Sequence, residues 1–102
     1  NVVAAIYRGF DLQKICADFP EIYRYTRIGP TVPTLPAVST ELGEATARAL
    51  GVTDTNPTGD FDIVGQANHG VCSMAPDPWS AYEHVERLDH ICEIVLKSGV
   101  SP

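Results

Sequence analysis

The stretch from Asp77 to Gly99 constrains the fold more than any other part of the chain. Asp77 supplies an N-cap, Pro78 takes the first helical position, and Lys97 and Gly99 mark the end. Between them Ala81, Val85, Leu88, Cys92 and Val95 recur at alternating spacings of four and three, the signature of a helix with one buried face. Ile91 and Ile94 widen that face, while Glu83, Glu86, Arg87, His90 and Glu93 turn mostly outward. With 102 residues in all, one domain is the ceiling. A chain of this size buries only about two-thirds of its unfolded surface.

The remaining elements are shorter. Residues 2 to 8 read as the body of a short helix ended by Gly9, and Asp11 caps a second helix, Leu12 to Ala17, that Pro20 cannot continue. Glu21 to Arg27 is compatible with helix or strand. Pro30, Pro33 and Pro36 each remove a backbone donor, which excludes a central strand and leaves a short edge strand or extended connector. Ser39 then caps a helix whose first turn carries Glu41 and Glu44, whose apolar stripe is Leu42, Ala45, Ala49 and Leu50, and whose stop is Gly51. Thr53 to Gly59 is a polar turn region. Phe61 to Ala67 reads as a strand, Asn68-His69-Gly70 interrupts it, and Val71 to Ala75 resumes extended structure. Helices covering a small sheet make this an α/β or α+β layer structure.

Charge narrows the partners. Seven basic residues stand against 13 acidic ones, for a net charge of −6. The basic residues are scattered and form no patch for nucleic acid or for a membrane surface. No apolar run approaches the ~18 residues of a membrane span, and no signal peptide opens the chain. Cys16, Cys72 and Cys92 are odd in number, far apart and without a CxxC pair. That pattern suits buried thiols in a reducing, cytoplasmic setting. Asn1 is not an initiator Met, and the helix-like start that follows it is expected of a segment of a longer protein.

Among the three histidines, His84 and His90 lie six residues apart on the final helix, about 600° of rotation, so they diverge by roughly 120° and cannot chelate one metal. Both are expected on the solvated face, with His90 one turn from Glu86. His69 differs. It stands at the break between two extended runs, where Gly70 permits a positive φ and a sharp turn that exposes the imidazole. Such a histidine is either a structural turn residue or one ligand of zinc or another divalent metal, needing two or three more from elsewhere. The chain has no glycine-rich phosphate loop, and Ser73 lacks a nucleophile elbow. Nothing in the spacing marks Cys72 and His69 as a nucleophile and its base.

The run Ile63 to Val71, containing Asn68-His69-Gly70, and the segment from Asp77 to Cys92 resemble the C-terminal half of the class II aldolase/adducin family. Upstream, Ile28-Gly29-Pro30 to Pro36 and then Ser39-Thr40-Glu41-Leu42-Gly43 are similar to its proline-containing segment and its Gly-Thr-x-Glu-Leu helix start. The resemblance spans almost the whole chain in the family's order.

The resemblance implies a three-layer α/β/α fold, of which residues 1–102 would be the C-terminal portion of a single domain. It implies a homotetramer, a divalent metal, often zinc, and a sugar phosphate as substrate. The implied chemistry is retro-aldol carbon–carbon cleavage through a metal-stabilised enediolate, with epimerisation or dehydration of a pentulose phosphate as the alternatives. His69 would be one of three histidine ligands. The other two, in a His-x-His-Pro motif, the acid/base Glu and the phosphate-binding loops would all lie upstream, so no catalytic residue is assigned within this chain and the isolated chain is expected to be inactive. A complementary upstream half would then be its partner. A metal-free adducin-like interaction domain, and an unrelated small α/β protein with a chance Asn-His-Gly, are the competing readings. The distal end of the second strand, Met74-Ala75-Pro76, departs from the family's usual Gly, and Asp89 stands where Glu is common.

Overall fold

A computed structural model describes residues 1–102. Five helices and one hairpin follow in the order α1 (Val2–Tyr7), α2 (Leu12–Ala17), α3 (Ile22–Tyr25), α4 (Thr40–Leu50), β1 (Ile63–Gln66), β2 (Gly70–Ser73) and α5 (Pro78–Ser98). The side-chain caps fall where the sequence puts them. Asp11, Ser39 and Asp77 accept from the backbone N–H of Lys14, Leu42 and Ser80, satisfying donors that a helix start leaves unpaired. Gly51 and Gly99 close α4 and α5 in the left-handed conformation, at φ 76° and 78°. The ambiguous stretch after Pro20 is a single helical turn, α3.

β1 and β2 pair antiparallel, Ile63 opposite Ser73 and Gln66 opposite Gly70. The proline-bearing segment lies along the other edge of β1, with Ile28 and Val32 bridging Ile63 and Gln66 in parallel. Gly29 and Val32 donate to the carbonyls of Ile63 and Gly65, and Ala67 donates back to Val32. Its prolines fall at 30, 33 and 36, so the N–H groups of Gly29 and Val32 remain free for these bonds. We call Thr26 to Leu35 the strap.

Successive residues of β1 enter different cores, because side chains alternate across a strand. Ile63 joins Ile28, Leu12, Cys16, Leu88, Ile91 and Cys92 in a cluster built by α1, α2, α3 and α5. Val64 joins Val32 and Leu50 beneath α4. The small sheet therefore carries helices on both faces, in a small α/β structure.

Two expectations for α5 fail. Ile94 is 39% exposed and does not widen the apolar face. It lies two residues beyond Cys92, about 200° round the helix, whereas Leu88, Ile91, Cys92 and Val95 hold the core. His84 is not on the solvated face: it is 8% exposed. It precedes Leu88 by four residues, about one turn, and so shares the buried stripe.

Candidate metal-ligand site at the hairpin turn

His69 sits at the tip of the β1–β2 hairpin, exposed to solvent. The turn closes through the His69 N–H, which donates to the Gln66 carbonyl at 2.9 Å. Gly70 takes a positive φ, 158°, and Asn68 before it is in the left-handed conformation at φ 62°. Asparagine is among the few side chains that tolerate that region. The Asn68 amide donates to the Thr34 hydroxyl at 2.6 Å, which ties the turn to the strap.

The imidazole is held by the same segment. His69 Nε2 lies 2.7 Å from the carbonyl oxygen of Leu35. A carbonyl only accepts, so the proton of the neutral ring is on Nε2 and Nδ1 keeps its lone pair. This is the arrangement by which metal-binding histidines are oriented, one ring nitrogen donating to a carbonyl and the other left to coordinate. Leu35 lies between Pro33 and Pro36, whose fixed φ angles restrict the backbone presenting that carbonyl. His69 thus fits the role of a single ligand. The chain holds no group of three His, Cys, Asp or Glu side chains able to bind a cation. What it offers is one prepared imidazole, not a cage.

Neighbouring nucleophiles serve packing. Cys72 lies against the Val32–Leu50–Val64 cluster, and burial pushes its thiol up. The Ser73 hydroxyl donates to the Ala81 carbonyl at 2.9 Å, fastening β2 to α5. A cleft of about 540 Å³ between α4 and β2, lined by Leu42, Thr46, Gln66, Cys72 and Met74 among others, does not include His69.

A second polar cluster occupies the opposite end of the strap. Thr26, fully buried, places Oγ1 2.7 Å from His84 Nδ1. Arg87 Nη1 donates to the same oxygen at 3.2 Å. The Arg87 guanidinium stacks 5.3 Å from the Tyr25 ring centre and lies 3.6 Å from Glu83. One residue on, Arg27 is bound by Asp62 through its backbone N–H at 2.7 Å and its guanidinium at 2.9 Å. The spacing of His84 from Leu88 carries the signal for its burial, but Thr26 is 58 positions away and nothing local announces it. His90 is exposed and forms no ion pair with Glu86.

The family model for the class II aldolase and adducin N-terminal domain matches residues 1–96. No curated protein and no solved structure matches the chain.

Proposed function

Because the chain belongs to the class II aldolase and adducin family, we propose that it is part of a metal-dependent aldolase-like lyase acting on a sugar phosphate, with His69 as one ligand of a divalent cation. Zinc is the cation this reading favours. The observation that carries it is the Leu35 carbonyl on His69 Nε2, which leaves the Nδ1 lone pair of an exposed ring free to coordinate. In the complete protein two further histidines, from the His-x-His-Pro motif of the family, would join it. The helices on both faces of the β1–β2 sheet fit the C-terminal portion of a three-layer α/β/α domain. The same resemblance supports a homotetramer.

When bound, the cation would supply Lewis-acid stabilisation of the negative charge that develops on substrate oxygens during carbon–carbon cleavage. The chain's own part is to hold one imidazole in a fixed tautomer and direction. The hairpin fixes the backbone of His69, and the strap fixes its ring.

Elemental analysis of the complete protein and two variants tests this. Zinc sites hold their ion with at least three protein ligands, so His69→Ala should lose the metal and turnover while His90→Ala keeps both. Stoichiometric metal in His69→Ala, or full activity of the wild type under chelator, would overturn the lyase reading. A non-catalytic adducin-like domain would then replace it.

A further inference from the structure

We infer that the Thr26–His84 contact is an acid-sensitive latch, and that protonation of His84 releases the N-terminal end of the strap. The direction of two hydrogen bonds sets this latch, independently of any metal at His69. A guanidinium has no lone pair, so Thr26 Oγ1 must accept from Arg87. The hydroxyl's own proton has one other hydrogen-bond partner, His84 Nδ1 at 2.7 Å, and is satisfied only by donating to it. In the neutral ring this places the proton of His84 on Nε2. Both hydrogen bonds at Thr26 Oγ1 are made in that state, and no buried side-chain donor or acceptor in the chain lacks a partner.

Protonation reverses one of those bonds. Nδ1 becomes a donor and needs a lone pair from an oxygen that already accepts from a cation. The Thr26 hydroxyl proton loses its acceptor, and two positive groups converge on one atom. The charged groups around His84 come from two elements. Arg87, partnered by Glu83, lies on α5 itself. From the residue entering β1, the Asp62 carboxylate, with Arg27 bound to it, acts on His84 through its negative charge. An imidazolium is thus repelled at the Thr26 side and attracted at the Asp62 side. Asp62 is also the acceptor for the Arg27 backbone N–H. Any turn of the ring from Thr26 toward Asp62 therefore weakens two consecutive anchors of the strap, Thr26 and Arg27. Histidine is the side chain suited to such a change, since its charge switches between about pH 5 and 8.

Nuclear magnetic resonance of the full chain tests the latch. Ring nitrogen shifts of His84 at neutral pH should report a protonated Nε2 and a bare Nδ1. As pH falls, the amide shifts of Arg27 and Gly29 should move with the same midpoint as the His84 ring. Thr26→Ser should preserve that co-titration, Thr26→Val should uncouple it, and His84→Gln should abolish the step. A ring protonated on Nδ1 at neutral pH, or strap amides that ignore the His84 titration, would overturn the inference. Both decisive measurements use the wild type, so they hold even if a variant fails to fold.

Discussion

Gly29 stands directly against Val64: a Cβ at position 29 would lie 2.7 Å from Val64 Cγ1 and 2.9 Å from the Ala49 carbonyl oxygen. The strap reaches β1 only because this side chain is absent. Gly29→Ala should cost about 1–3 kcal/mol, the usual range for overpacking, since the backbone of α4 cannot yield cheaply. Gly65→Ala also creates close contacts, 2.6 Å to Ile6 Cδ1 and 2.8 Å to Leu12 Cδ1, but with methyl ends that can turn aside. Urea unfolding should rank Gly29→Ala as the more damaging change, and the reverse order would refute this account.

Val38 points the other way. It is fully exposed and holds φ 54°, a conformation that β-branched side chains resist. Left-handed backbone costs an L-residue roughly 1–2 kcal/mol, against about 0.5–1 kcal/mol for the extra unfolded-state freedom of glycine. Val38→Gly should therefore stabilise by up to about 1.5 kcal/mol, the largest difference between those two effects. Val38→Ala, which keeps the Cβ, should gain less. Thermal unfolding of the three proteins decides it, and a lower melting temperature for Val38→Gly would refute the strain.

Acid should weaken the Arg27–Asp62 pair. Burial alone would raise the Asp62 carboxyl, but the hydrogen bonds and charge of Arg27, with a smaller effect of His84, hold it below the usual carboxylate value. A carboxyl lowered on folding adds stability above its unfolded pKa, about 3.9 for Asp. That stability is lost as pH falls through the folded value. The gap in urea midpoint between wild type and Asp62→Asn should be full near neutrality and shrink below about pH 4. A gap unchanged down to about pH 2 would show that the pair contributes nothing through ionisation.

The thiols should divide by burial. Desolvation pushes Cys16 up to about 12 and Cys92 up to about 11, and both side chains are fully buried. Only the thiolate reacts with alkylating agents. Mass spectrometry after brief iodoacetamide treatment of the folded chain should find label on half-buried Cys72 alone, with Cys16 and Cys92 labelled after unfolding. Early label on Cys16 would contradict the packing of α2 against α5.

The capped helices were legible because their signals are local: Ser39 and Gly51 bracket α4, and Asp77, Pro78 and Gly99 bracket α5. α3 was not, since four residues are too few to display a period. The exposed His69 was legible from the Asn-His-Gly break, where Gly70 takes its positive φ and Asn68 adds a second. Its carbonyl partner Leu35 was hidden, 34 positions upstream. The burial of His84 is visible from Leu88, one turn away, and not from its divergence from His90. A polar residue in phase with an apolar stripe is buried when a distant partner awaits it, and Thr26 is that partner.

β1 has neighbours on both sides, and they reach it by routes of very different length. β2 joins through a turn three residues long, Ala67 to His69. The strap arrives from beyond α4, with Arg27 and Asp62 35 positions apart. Closing a longer loop costs more entropy, and distant pairings slow folding. Hairpins form in about 1–10 μs, so β1 and β2 should meet well before the strap is laid down. The tempo at which this chain acquires its shape is then set by the excursion through α4, and the His69 ring swings free until Leu35 arrives.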